Sequence, residues 1–207
     1  MDWLALQVVV ENRWPGSDTG ALMNSSEDLI VRARAGDHEA FRLIFERYAR
    51  PILSFGYDIV GDRDLAEEIT QETFVRTYNK LHELRDDKKF STWLFGISKN
   101  VAREAVRSRH RTRNIAANHD LLFLEREDQS ESPADHLLRK ELNIAMHAAL
   151  RSLYEDRRMV FALKVFQQHT YEEIVDITGF SLAKVKTDLH RARRDVRHRI
   201  RPYLEKK

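Results

Sequence analysis

Almost every long segment of the chain spaces its apolar residues three and four apart, a pattern that gives a helix one buried face and gives a strand none. Seven glycines and four prolines in 207 residues leave few of the tight turns that a sheet requires. The chain is therefore expected to be all-α. Its length allows one large domain or two small helical ones, each with a modest core.

The breaks in the pattern divide the chain. Asn24-Ser25-Ser26-Glu27 offers N-caps ahead of Leu29 and Ile30, and after a break at Gly36-Asp37 the stripe Phe41, Ile44, Phe45, Tyr48, Ile52 resumes at core-facing spacing. A second break at Gly61-Asp62 precedes Leu65, Ala66, Ile69, Phe74, Tyr78 and Leu81. A polar, charged loop, His82 to Lys89, follows, and Ser91 or Thr92 is the expected cap of a third helix carrying Trp93, Leu94, Ile97, Val101 and Ala105. From about Asn114 to Pro133 the periodicity is lost and the chain turns acidic, as a flexible, self-repelling linker does. Leu142, Met146, Ala149, Leu150 and Leu153 then open a second helical domain.

The net charge of +2 conceals a strongly uneven distribution. Val101 to Arg113 holds five arginines against Glu104, and Leu182 to Arg201 holds eight basic residues against Asp188 and Asp195. Between them, Asn118 to Asp135 sets six carboxylates against Arg126. Two basic blocks flanking an acidic spacer point to two contacts with a polyanion. With no cysteine, disulfides and thiolate metal sites are excluded and a reducing compartment is the simplest setting. Trp3 to Val10 is too short to span a bilayer and lacks a preceding Lys or Arg, so a soluble, cytoplasmic protein with no membrane insertion is expected.

Thr170-Tyr171-Glu172-Glu173 is a capping box, so a short helix should start there and run to about Ile177. Thr178-Gly179-Phe180-Ser181 supplies a glycine turn and a new N-cap before Leu182. Short helix, turn and longer helix make a helix-turn-helix, whose second helix lies in the DNA major groove. Leu182, Val185, Leu189, Ala192, Val196 and Ile200 form its apolar stripe, leaving Lys184, Lys186, Thr187, His190, Arg191 and Arg194 for phosphates and base edges. A solvated amphipathic helix is the plainer alternative, and the capping box and turn weigh against it.

Three blocks resemble the extracytoplasmic-function (ECF) subfamily of bacterial RNA polymerase sigma factors: Gly61-Asp-Arg-Asp-Leu-Ala-Glu-Glu-Ile-Thr-Gln-Glu-Thr-Phe74, Phe90-Ser-Thr-Trp-Leu-Phe-Gly-Ile-Ser-Lys-Asn100, and Thr170-Tyr-Glu-Glu-Ile through Val185 to Arg194. The resemblance implies a sigma-two-like helical bundle at residues 27–112 and a sigma-four-like domain at 137–204, joined by a linker at 113–136 and preceded by an extension at 1–26. It implies core RNA polymerase as a partner, through its β′ clamp and β flap. Promoter DNA, both duplex and single-stranded, and an anti-sigma factor are the other implied partners.

The first block would dock on the clamp, with Asp64, Glu67, Glu68, Gln71 and Glu72 presenting the polar face. The relatives often have aspartate where this chain has Leu65, and Glu68 replaces another. Carboxylates in a row suit a basic partner helix and fix its register. The second block, with the loop before it, would open the promoter and read the minus-ten element as single strand. Phe90, Trp93 and Phe95 would offer stacking surfaces, each worth about 1–3 kcal/mol per base when engaged. Arg85, Lys88, Lys89, Arg103 and Arg107 would hold phosphates, and the loop would take up a flipped base. Trp93 also lies on the apolar stripe, so a core role stands beside the stacking role. Asn100 would read a base edge or satisfy a buried backbone group. In the third block Lys184, Lys186, Arg191 and Arg194 would contact the minus-thirty-five duplex, with Ser181 donating to a phosphate at the helix start. Where relatives often have proline after the leucine matching Leu153, this chain has Tyr154, which shifts a helix start.

Other classes fit less of the chain. Nine histidines invite a search for an enzyme, but no His-Glu-x-x-His pair, phosphate-cradling glycine loop or nucleophile elbow occurs, so no catalytic residue, metal or cofactor is expected. A stand-alone helix-turn-helix regulator would leave the first domain without a role, and a sigma mimic that only binds an anti-sigma factor would not need both basic blocks. Trp3, Leu4, Leu6, Val8, Val9 and Val10 in the extension suit either a partner-binding segment or a tail upstream of a true start at Met23.

Overall fold

The computed structural model of the protein describes residues 26–111 and 133–204. The N-terminal extension up to residue 25, with Met23, and linker residues 113–132 lie outside them. Helices α1 (Ser26–Arg34), α2 (His38–Val60), α3 (Arg63–Lys80) and α4 (Phe90–Arg111) form the first domain. Helices α5 (Pro133–Arg151), α6 (Glu155–Phe161), α7 (Tyr171–Thr178) and α8 (Leu182–Leu204) form the second. Among the described residues there is no strand. The protein is all-α with two helical domains.

Local chemistry sets the breaks. The Asp37 carboxylate accepts from the amides of Glu39 and Ala40 at 2.9 and 3.1 Å, capping α2, and Arg32 from the end of α1 pairs with it at 2.7 Å. Gly61 ends α2 in the left-handed region at φ 67°, and Asp62 caps α3 by accepting from the Leu65 amide at 3.1 Å. Gly61 has a second constraint, because a Cβ there would lie 3.1 Å from Cδ of Arg151 in the other domain.

The loop after α3 folds into two short 3₁₀ turns, Leu81–Glu83 and Asp87–Lys89. Arg34 donates to the carbonyls of Leu81 and Leu84 and pairs with Asp87, tying the loop to α1. Neither Ser91 nor Thr92 caps α4, contrary to the sequence expectation. Asp86 caps the preceding turn through the Lys88 amide at 3.0 Å, and the chain passes from that turn straight into the helix at Phe90.

One apolar core runs through both domains, from Leu29 and Phe55 through Phe90, Leu94 and Phe95 to Phe161, Ile174 and Val185. Each such side chain contributes about 1.5–3 kcal/mol on burial. Phe95 links the domains: its ring meets Phe55 at 5.5 Å on one side and His169 at 4.7 Å on the other. Helix α6 passes from Met159 to Phe161, each 0% exposed, into the wider π turn Ala162–Phe166. Gln168 then adopts φ 59°, and its side-chain amide donates to the Val165 carbonyl at 2.8 Å. That left-handed residue turns the chain so that His169 points inward and Thr170 is free to cap α7.

Three expected core positions lie outside the core: Phe45 is 42% exposed, Tyr78 46% and Leu182 40%. Helices α2 and α3 are covered by neighbours over only part of their circumference, so their apolar stripes are wider than the surface they bury.

Candidate nucleic-acid and polymerase interfaces

The capping box forms as expected: Glu173 donates its amide to Thr170 Oγ1 at 3.1 Å, and Thr170 donates its amide to the Glu173 carboxylate at 2.7 Å. Gly179 at φ 75° ends α7, and Ser181 Oγ accepts from the Lys184 amide at 3.2 Å to start α8. Val185, Leu189, Ala192, Val196 and Ile200 are at most 1% exposed and fix the rotation of α8. Thr187, His190, Arg191 and Arg194 thereby share one exposed face, with Lys186 beside it. The Arg194 side chain is 72% exposed, and its cation lies 3.3 Å from Asp195. Lys186 lies 5.8 Å from the Tyr171 ring centroid.

Lys184 is placed differently. Its Nζ lies 2.6 Å from Asp188 and 3.0 Å from Asp156, and 4.4 Å above the Phe180 ring. The hydrogen bond to Asp188 and the charge of Asp156 raise the pKa of its ammonium. Ser181 is exposed, but its oxygen already serves as the cap.

On α4 and its preceding turn the expected minus-ten residues fall into two groups. Arg85, Lys88, Lys89, Asn100 and Arg107 are exposed. Phe90 at 1% and Phe95 at 3% exposure are core residues, and Trp93 is half-buried, tilted against Phe90 at 6.1 Å. Arg103 is engaged by the second domain, reaching Glu155 at 3.4 Å and Asp156 at 3.0 Å. Lys89 reaches Asp176 at 3.2 Å. Lys99, part of the second block but given no role from sequence, is half-buried one turn before Arg103, and burial with that neighbouring cation lowers its pKa.

Helix α3 presents Asp64, Glu68, Gln71 and Glu72 to solvent, with Glu72 held by Arg76 at 2.7 Å. Glu67 is half-buried and paired with Arg63 at 3.0 Å. The same face continues into Val75, 55% exposed, and Tyr78, 46% exposed. Tyr78 packs edge-on against Phe41 at 5.0 Å and stacks with His38 at 6.2 Å. The sequence reading missed this apolar continuation because it assigned Phe45 and Tyr78 to the core. The signal was present: Asp64, Glu68, Gln71, Val75 and Tyr78 follow one another at spacings of three and four.

Among the described residues, no group of three His, Asp or Glu side chains is placed to hold a metal, and no helix is long and apolar enough to cross a membrane.

Residues 44–112 match the family Sigma-70 region 2, and residues 143–196 match Sigma-70, region 4. The RNA polymerase sigma-H factor of Pseudomonas aeruginosa is 30% identical over 183 residues, covering 86% of this chain and 95% of that protein. The chain belongs to the ECF family of RNA polymerase sigma factors. The ECF RNA polymerase sigma-E factor of Escherichia coli K12 is 28% identical over 184 residues, with 86% and 95% covered. The fold of this sigma factor also appears in solved structures. CnrH in complex with the cytosolic domain of CnrY superposes with a TM-score of 0.58 at 20% identity, covering 84% of this chain and 96% of that one. The sigma factor RpoE of Bartonella quintana, in complex with the anti-sigma factor NepR, gives 0.60 at 20% identity over 78% and 96%.

Proposed function

We propose that this sigma factor directs promoter recognition and opening through three surfaces and does so by binding alone, without a catalytic residue, in the cytoplasm. Thr187, His190, Arg191 and Arg194, with Lys186 at the edge, read the minus-thirty-five duplex from the major groove. Arg85, Lys88, Lys89, Asn100, Arg103 and Arg107, with the half-buried Trp93, hold the opened minus-ten strand once the second domain moves away. Asp64, Glu68, Gln71 and Glu72, extended by Val75 and Tyr78, dock on the β′ clamp of core polymerase, where Glu67 and Phe45 flank them.

The single observation that carries this reading is the sidedness of α8. Its apolar stripe from Val185 to Ile200 is consumed by the core, and a row of cations and hydrogen-bond donors one turn apart is left in solvent behind a capped helix start. Reconstitution with sigma-free core polymerase on a linear template tests it. The chain should confer start-site selection at low ionic strength, and absence of defined transcripts would overturn the reading. For the clamp surface, Glu68→Ala with Gln71→Ala should weaken capture of core polymerase, and Tyr78→Ala should weaken it further without unfolding the domain. Unchanged capture by all three would remove α3 from the interface.

A further inference from the structure

We propose that the first turn of α8 reads the C5 methyl group of a thymine in the minus-thirty-five duplex through Ala183, with Leu182 beside it, so that this sigma factor selects thymine at one position by apolar contact. The inference rests on the reading of α8 as the duplex-reading helix and adds a chemistry that its cations do not supply.

A helix that enters the major groove brings the side chains of its N-terminal end closest to the base edges. On α8 that end has little polar reach left. Ser181 Oγ accepts from the Lys184 amide at 3.2 Å, which fixes the hydroxyl at the mouth of the helix, a position suited to a phosphate. Lys184, the nearest cation, is turned back toward α6. Its Nζ lies 2.6 Å from Asp188, 3.0 Å from Asp156 and 4.4 Å from the Phe180 ring centroid. All three partners belong to the same domain as Lys184, so the grip is part of that domain's own fold.

What the first turn does expose is apolar. Leu182 is 40% exposed, and Ala183 is exposed beside it. The rotation that buries Val185 and Leu189 puts Ala183 on the reading row, four residues before Thr187 and eight before Arg191. Every base pair shows the major groove hydrogen-bond donors and acceptors, and the thymine methyl is the one apolar group among them. Seating Ala183 against an amino group or a carbonyl would strip that group of water without giving it a partner. Seating it against the methyl removes apolar surface from water on both sides. The row therefore divides its work. Ala183 and Leu182 select a methyl, while His190, Arg191 and Arg194 reach donors, acceptors and phosphates from the following turns. Cytosine, which lacks the methyl and presents an amino group, is rejected at that position.

The test uses the full chain assembled with core polymerase. The holoenzyme enriches duplexes from a random library, and each thymine in the upstream element of the enriched site is then replaced by deoxyuridine, which deletes only the C5 methyl. Affinity is read by competition against the enriched duplex. Deoxyuridine at one position should weaken binding about fourfold, the affinity equivalent of one methyl group taken out of water. In Ala183→Gly, thymine and deoxyuridine at that position should bind within about twofold of each other, and Leu182→Ala should shrink the difference in the same direction. Both substitutions fall in an exposed, capped turn, so the domain should keep its fold. Arg191→Ala should weaken both duplexes alike and keep their ratio. A site with no methyl-sensitive thymine overturns the proposal, as does a thymine preference that stays unchanged in both Ala183→Gly and Leu182→Ala. A holoenzyme that enriches no upstream element at all defeats the duplex-reading assignment of α8 itself, and the inference falls with it.

Discussion

Helices α4 and α8 look alike in sequence, each an apolar stripe backed by a dense row of arginines, yet the fold treats their charges in opposite ways. On α8 the row Thr187, His190, Arg191, Arg194 is exposed. On α4, Arg103 is spent on Glu155 and Asp156, and Arg109 on Asp62 at 3.2 Å, while Arg107 is left in solvent. The difference follows from what packs on each helix. Helix α8 lies at the edge of its domain and is buried along one stripe. Helix α4 sits between α3 on one side and the second domain on the other, with Phe95 and Ala102 buried at 3% and 0%. Charge density along a chain therefore reports how much cation a helix carries. The neighbours decide how much of it a ligand meets.

The contrast breaks most severely if Phe95 does not join the domains. Phe95→Ala removes the ring between Phe55 and His169 and should cost about 3–5 kcal/mol, read from urea unfolding. It should also split one cooperative transition into two, and a single unshifted transition would show that α4 is not held by the second domain. Next in size, Arg191→Glu with Arg194→Glu should reduce promoter-duplex affinity about a hundredfold and make the dependence of log K on log salt shallower by roughly one to two. Equal losses on duplex and on oligo(dT) would erase the division of labour between α8 and α4.

Acidity probes the boundary itself. Burial pushes the His169 imidazole below its ordinary 6.5, against the opposing pull of Glu173, so the folded state keeps it neutral. Lys164, nearby, reinforces the shift. The unfolded chain takes up that proton as pH falls below 6.5 while the folded chain does not. Stability is thus fully present above that value and is lost as pH drops toward the lower folded pKa. Urea midpoints at pH 7.5 and 5.5 (about one unit either side of an unperturbed histidine) should differ more for the natural chain than for His169→Phe. The smallest effect is expected on α8: Lys184→Ala should weaken duplex binding less than Arg191→Ala, by about threefold against tenfold or more. The reverse order would mean that Asp156 and Asp188 release Lys184 on contact with DNA.

Much of the architecture was legible because its causes lie within a few residues of one another. The Thr170–Glu173 box, the αL glycines 61 and 179, and the caps at Asp37 and Asp62 each involve partners no more than four positions apart. The run from Met159 to Phe166 gave no period to read, because every residue in it except the half-buried Lys164 is buried. Phe45 and Tyr78 carried the right spacing for a core, but nothing local states where neighbouring helices stop covering them. Phe90 was expected to stack on bases, and its burial at 1% comes from packing against Tyr48, 42 positions earlier, at 5.3 Å.

The sequence by itself determined most of the helices, the breaks at Gly61 and Gly179 and the chemical kind of each surface, because caps, turns and periodicity act through short-range hydrogen bonds and side-chain rotation about one axis. Only the tertiary structure decided which charges face solvent. Arg103 and Asp156 are 53 positions apart, and they meet because Phe95 and His169 bring two apolar surfaces together. Burial of those surfaces is non-directional and leaves no local pattern that names the cation it will place beside a carboxylate.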